Sequence, residues 1–151
     1  MILCCQENLL ARYKTAKAVE LAKARGAKRA IPLPVAGAYH SRLMVGAQQK
    51  VAAALAALPL QEPRVPVVAN VSARPGGSVA EIKELLTRQV TGTVRWTESM
   101  QWLVAQGFTR FIELGPGTVL AGLMKRIHKE VEVLSINDCA TLDAAVLKLR
   151  G

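Results

Sequence analysis

His40, in the stretch PVAGAYHSRLM (Pro34–Met44), is the residue of this chain best suited to moving a proton. It is one of only two histidines and stands between a Gly/Ala-rich turn and the start of an apolar helix. A catalytic base needs a nucleophile to deprotonate and an acceptor to orient its ring. Asp and Glu are scarce around His40, so no Ser-His-Asp set is visible; a backbone carbonyl could orient the imidazole instead. Taken alone, the position reads more readily as a histidine that packs or caps a helix start. The nucleophile is missing as well. No G-x-S-x-G elbow occurs, and Ser41, Ser72, Ser78, Ser99 and Ser135 all sit in other contexts.

The remaining polar motifs are weaker. Gly115–Gly117 (GPG) joins a strand to a helix but matches neither a dinucleotide fingerprint nor a Walker loop, so a tight turn is its plainer meaning. His128 lies among Lys and Arg at a helix end, where complementing the helix dipole explains it. Gln89, at a helix end beside a breaker, reads locally as a solvated polar position. Cys4, Cys5 and Cys139 make an odd set without C-x-x-C spacing, which argues against a disulfide scaffold or a metal site and for a reduced, cytoplasmic protein.

The elements that must position these residues follow from periodicity. A helical pattern over Thr15–Arg25 stops at Gly26, and AKRAIPLPV gives a short strand ending at Pro32. Ser41 can cap a helix carrying Met44, Ala47, Val51, Leu55 and Leu58, which ends at Pro59. VPVVANVSA predicts a buried strand over Val65–Val71, broken by RPGG. Ser78 and Glu81 form a capping box, with Glu81 expected to reach back to the Ser78 amide. Thr97 is expected to cap a further helix that Gly107 stops, and FTRFIELGPG is a strand entering a turn. A helix follows, bearing Leu120, Leu123, Met124 and Ile127. VEVLSI is the last strand, and Thr141 opens the last helix.

The chain has 151 residues, half of them apolar, enough for one domain with a core. Alternating strands and helices predict an α/β fold with a parallel sheet, whose ligands bind beyond the C-terminal strand edges. The loops at Asn70, Gly115 and Asn137 lie at such edges. No apolar run reaches the ~20 residues of a spanning helix, and MILCCQENLL is a poor signal peptide, so no membrane partner is expected. The net charge of +9 raises nucleic acid as a partner. The basic residues are spread along helices and do not interleave with aromatics, which weighs against it and favours solvated faces or an acidic protein partner.

AKARGAKRAIPLPVAGAYHSRLM, PVVANVSA and LLTRQVTGTVRWTESMQWLVAQGFTRFIELGPGTVLAGLMKRI, in this order and spacing, closely resemble the malonyl-CoA:acyl-carrier-protein transacylase family. The resemblance runs from about Thr15 to the C-terminus and covers the second half of the family's usual length. It implies a partial α/β-hydrolase-like parallel-sheet core with the tail of a ferredoxin-like subdomain. Residues 1–14 form a divergent N-terminal segment, 15–34 that tail, and 35–151 the C-terminal part of the acyltransferase core.

It further implies a ping-pong transfer in fatty acid biosynthesis. Malonyl passes from malonyl-CoA to an enzyme serine and then to the phosphopantetheine thiol carried by acyl carrier protein, with no resident cofactor or metal. His40 falls on the family's general base and Gln89 on the residue whose backbone carbonyl orients it. Tyr39 and Asn70 are assigned to substrate. In related polyketide acyltransferases an aromatic residue before the histidine accompanies malonyl selectivity, and Tyr39 is such a residue. The family's serine elbow, its carboxylate-binding arginine and its oxyanion-hole glutamine find no match in these residues. The chain is therefore expected to be inactive alone, as a fragment or frameshifted product. The alternative is a non-catalytic chain that binds an acidic carrier protein through basic helices, with Lys125 and Arg126 as contacts.

Overall fold

The computed structural model describes the backbone at residues 2–4, 9–33 and 37–150, and side chains at residues 15–32 and 37–150. Pro34–Ala36, which include the expected boundary at 34–35, and Cys5 lie outside the described residues. The chain forms two compact units, 1–62 with 77–94 and 63–76 with 95–151.

The first unit begins with strand β1 (Ile2–Cys4) and helix α1 (Leu9–Ala24). Gly26 ends α1 at φ +84°, a conformation that costs a residue without Cβ little. Its N–H bonds to the Lys23 carbonyl and that of Ala27 to Ala22, both at 3.0 Å, which satisfies two of the helix's last carbonyls. Strand β2 (Ile31–Leu33) then pairs in parallel with β1, Ile2 opposite Ile31. After one 3₁₀ turn (Arg42–Met44) comes α2 (Val45–Ala57), and α3 (Val79–Gln89) completes the unit.

Helices α2 and α3 run antiparallel, as their cross-links show. Gln48 Nε2 donates to the Thr87 carbonyl (3.2 Å) at one end of the pair, and Lys83 Nζ to the Leu58 carbonyl (2.8 Å) at the other. The expected capping box is half present. Ser78 Oγ accepts the Glu81 N–H at 3.2 Å, but the Glu81 carboxylate reaches past Ser78 to the Gly77 N–H at 2.7 Å. Gly77 has no side chain to block that approach, since a Cβ there would sit 3.2 Å from Glu81 Oε2.

The second unit corrects the expected long strand. Of Val65–Val71 only β3 (Val68–Ala69) is paired, antiparallel to β4 (Arg74–Pro75). Pro66 has no N–H to give a ladder, the chain turns at Asn70, and Val65 and Val67 are exposed. Helix α4 (Trp96–Ala105) starts before Thr97, which lies inside its first turn. The position before the helix is Arg95, whose carbonyl accepts both the N–H and the hydroxyl of Ser99. Gly107 ends α4 as Gly26 ends α1, at φ +90°.

Strands β5 (Arg110–Leu114) and β6 (Glu132–Ile136) pair in parallel and in full register, with helix α5 (Val119–Ile127) between them in sequence. Ala121 and Met124 on α5 and Met100 on α4 are buried, and Met124 is the largest side chain fully removed from solvent among the described residues. Helix α6 (Cys139–Arg150) begins earlier than expected. Thr141 and Asp138 exchange bonds, the Asp138 carboxylate accepting the Thr141 N–H (2.8 Å) and the Thr141 hydroxyl accepting the Asp138 N–H (3.0 Å). Thr141 therefore closes the cap and Asp138 is its first residue, because a carboxylate is a strong acceptor for a free helix N–H.

Glu113 ties β5 to α5. Its carboxylate accepts the N–H groups of Leu120 (2.9 Å) and Ala121 (3.2 Å) and the Ser135 hydroxyl (2.9 Å). Partial burial, the largest single influence, pushes its pKa up; the three donors together outweigh that and hold it below the ordinary carboxylate range. Its folded pKa is thus lower than its unfolded one. The stabilisation is present above the unfolded value and drains away as pH falls through the folded value. Thermal unfolding followed from pH 7 to pH 2 is expected to show a falling melting temperature below about pH 4.3. Glu113→Gln lowers the neutral-pH value and flattens that acid limb. An acid limb of unchanged slope in the variant assigns it to the other carboxylates.

Candidate active site

His40 sits in a turn that its neighbours close. The Ser41 hydroxyl donates to the Ala38 carbonyl at 2.6 Å and accepts the Leu43 N–H at 3.3 Å, so one side chain both tightens the turn and caps the 3₁₀ segment. His40 itself is held at φ +59°. That left-handed conformation costs a residue bearing a Cβ about 1–3 kcal/mol. Among the described residues only one other non-glycine residue, Ala73, shares it.

The imidazole is exposed and points at the last turn of α3. Its Nδ1 lies 3.0 Å from the Gln89 carbonyl oxygen, across 49 residues of sequence. A carbonyl only accepts, so Nδ1 is the donor, and in the neutral ring Nε2 is then the nitrogen that keeps a lone pair. This is the ring state a general base requires. Gln89 Nε2 donates to the Gly92 carbonyl at 3.2 Å and also lies 3.2 Å from His40 Nδ1. Exchanging the amide oxygen and nitrogen would set two oxygens together at Gly92, so the bond to Gly92 fixes the amide orientation and leaves the buried Oε1 without a partner. The antiparallel α2–α3 pair brings this about: α2 starts just after His40, and α3 ends at Gln89.

Tyr39, next to His40, is 56% exposed. Its ring lies across Gly37, where an added Cβ would sit 3.0 Å from Cζ and 3.1 Å from Cε2. Any larger residue at position 37 would displace the ring. His40, Gln89 and Tyr39 therefore share one end of the first unit.

Asn70 belongs to the second unit. It is exposed, follows β3, and its carbonyl accepts the Arg95 N–H at 2.9 Å. The loop from β3 to β4 passes through Ala73, wholly buried at φ +55°, whose N–H bonds back to the Ala69 carbonyl (2.9 Å). The Ser72 hydroxyl donates to the Arg74 carbonyl at 3.0 Å. Arg95 and Glu98 form a two-pronged ion pair in which the side-chain hydrogen bond raises the arginine's pKa and lowers that of the carboxylate. Sequence reasoning gave Arg95 no role. Its loop partners, Asn70 and Ser72, lie a long way off in the chain, and Glu98 three residues on reads only as an ordinary helix ion pair.

Gly115 and Gly117 both adopt positive φ (+128° and +87°), which makes GPG the tight turn between β5 and α5. No group of three or more His, Cys, Asp or Glu side chains close enough to hold a metal ion occurs among the described residues. No helix among them is long and apolar enough to cross a membrane.

No protein-family profile matches the chain. Individual proteins do. The malonyl CoA-acyl carrier protein transacylase of Bacillus subtilis (strain 168) is 44% identical over 140 residues, covering 90% of this chain and 44% of the relative. An acyl-carrier-protein-S-malonyltransferase from Bartonella henselae has a crystal structure that matches with a TM-score of 0.84 at 40% identity, covering 92% of this chain and 44% of that one. A malonyl-transacylase solved in complex with its type II PKS acyl-carrier protein matches with a TM-score of 0.85 at 38% identity, over 91% of this chain and 44% of its own. The chain spans less than half the length of these relatives. Sequence identity and fold together place it in the malonyl CoA-acyl carrier protein transacylase family, along that share of a member's length.

Proposed function

We propose that this chain supplies the general base, and part of the substrate surface, for malonyl transfer from malonyl-CoA to the phosphopantetheine thiol of an acyl carrier protein. The observation that carries the reading is the 3.0 Å contact of His40 Nδ1 with the Gln89 carbonyl, which leaves Nε2 free to take a proton. A main-chain oxygen does here what a carboxylate does in a Ser-His-Asp set. Nε2 would take the proton of the attacking hydroxyl in acylation and return it to the leaving thiolate of coenzyme A. In the second half-reaction it would deprotonate the carrier's thiol as that thiol attacks the acyl-enzyme, and then give the proton back to the serine. The net charge of +9 suits an acidic carrier. Lys125 and Arg126, in the last turn of α5, are exposed and available to it.

The nucleophile must come from a segment outside these 151 residues, since none of their serines stands in an elbow. The test follows from that. The chain incubated with radiolabelled malonyl-CoA is expected to retain no label. The same chain mixed or fused with the complementary segment of a full-length relative is expected to form one acyl-enzyme and to label carrier protein. Label on the chain alone, on a cysteine for example, would overturn the assignment of His40 as a base serving an absent serine. Failure of the folded, reconstituted enzyme to acylate would overturn the proposed activity.

Tyr39 is the proposed selectivity residue. An aromatic ring beside the acyl group leaves little room for a branch at the α-carbon. One methyl in a pocket is worth about 1–3 kcal/mol, or roughly 10–200-fold. In the reconstituted enzyme, Tyr39→Ser is expected to narrow the malonyl/methylmalonyl ratio of kcat/KM within that range, chiefly by improving methylmalonyl. An unchanged ratio in an active variant removes Tyr39 as the gate.

A further inference from the structure

Arg95 commits every polar group it has. Its N–H donates to the Asn70 carbonyl (2.9 Å) and its Nη1 to the Ser72 carbonyl (3.2 Å). Its Nε donates to Glu98 Oε1 (2.9 Å) and its Nη2 to Glu98 Oε2. Its carbonyl takes the N–H (3.0 Å) and hydroxyl (2.9 Å) of Ser99, whose side chain is buried. One residue thus holds the start of α4 and two carbonyls of the β3–β4 loop at once.

The loop so held is not a relaxed one. Ala73, fully buried, has a positive φ, and such a conformation persists only where surrounding bonds over-determine it. The Ala73 N–H to Ala69 bond and the Ser72 hydroxyl supply some of those bonds from within the loop. Arg74 Nη1 adds a bond to the Ala73 carbonyl (2.8 Å), and the two bonds from Arg95 come from outside the loop, across 23 residues in the case of Ser72.

The fork to Glu98 explains why the side chain is arginine. A guanidinium presents donors on both edges, so two can face the carboxylate while a third reaches the Ser72 carbonyl. Lysine has a single nitrogen and cannot hold that geometry. Glu98 stands one helical turn after Arg95 and keeps the fork aimed.

We propose that Arg95, aimed by Glu98, is a positioning residue that fixes the Asn70–Ser72 loop in the conformation that meets the substrate. This rests on the proposed function and on the sequence expectation that Asn70 faces substrate. Arg95 makes no contact with the acyl group in this account; it acts through Asn70.

Two measurements test it. The first is amide hydrogen exchange on the chain itself. Arg95→Ala and Arg95→Lys are expected to speed exchange at Ala73 and Arg74, whose N–H groups are bonded within the loop, by about tenfold or more, as a local loss of protection does, with β5 and β6 unchanged. Glu98→Gln, which keeps the fold's bulk and shape, is expected to produce a smaller shift at the same residues. Unchanged loop exchange in all three variants overturns the clamp.

The second is steady-state kinetics of the reconstituted enzyme. Arg95→Ala is expected to raise KM for malonyl-CoA roughly 5–10-fold, the effect of about one hydrogen bond, with kcat within about twofold. Arg95→Lys does not rescue it. In an Asn70→Ala background the same substitution is expected to add less than about twofold, because the two residues act as one unit. An Arg95→Ala effect that persists in full without Asn70 overturns the inference and leaves the role of Asn70 standing. An Asn70→Ala enzyme with unchanged KM overturns the role of Asn70 and this inference with it.

Discussion

His40→Asn is expected to lower kcat of the reconstituted enzyme by about 10²–10⁴-fold, the contribution of a positioned general base. Asparagine is the informative replacement. It tolerates the left-handed backbone that His40 adopts at φ +59°. Its amide can still donate toward the Gln89 carbonyl that now accepts from Nδ1. It cannot accept and return a proton as imidazole does. Folding is therefore expected to hold within about 0.5 kcal/mol, the usual range for a surface substitution, while chemistry is lost. Alanine would confound the two, losing the bond to the Gln89 carbonyl along with the base. Single-turnover acylation of the reconstituted enzyme by malonyl-CoA reads the chemical step directly. An acylation rate within threefold of the parent's would show that another group takes the proton.

Met124→Ala is expected to cost about 2–5 kcal/mol of stability, as loss of a large buried side chain does. Met124 is 2% exposed and lies with Trp96, Met100, Phe111, Leu120 and Val133 around the space between α4, α5 and the β5–β6 pair. Truncation removes its dispersion contacts and leaves a cavity that strands and helices cannot collapse without losing register. Leu147→Ala serves as the control. Leu147 is 73% exposed on α6, and its loss is expected to change stability by no more than about 0.5 kcal/mol. Denaturant unfolding of the two variants beside the parent chain gives the difference. Amide exchange should place the Met124 effect in β5, β6 and α5. A Met124→Ala cost below about 1 kcal/mol would mean that this packing does not hold the second unit together.

The elements of this protein were legible wherever their causes lie within a few residues. Gly26 and Gly107 stop their helices because each must take a positive φ that other residues resist, and both stop signals stand in the sequence beside the helices they end. Ser78 caps α3 through a bond spanning three residues. GPG marks a turn by composition. His40 stood out by residue type, since few side chains move protons near neutral pH.

Other features depend on partners that composition does not name. Gln89 read as a solvated residue, because what it offers His40 is a main-chain oxygen that every residue possesses. Only the family resemblance drew attention to it, and only the antiparallel packing of α2 on α3 brings the two together. Val65–Val71 read as a strand by its valines, yet a ladder needs a neighbour with matching donors, and only Val68 and Ala69 find one. Arg95 read as one basic residue among many; its function as a clamp exists only where the Asn70 and Ser72 carbonyls arrive beside it. Local geometry is written in side-chain types at short spacing. A hydrogen bond to a distant backbone carbonyl is written in none, and it is settled when the chain folds.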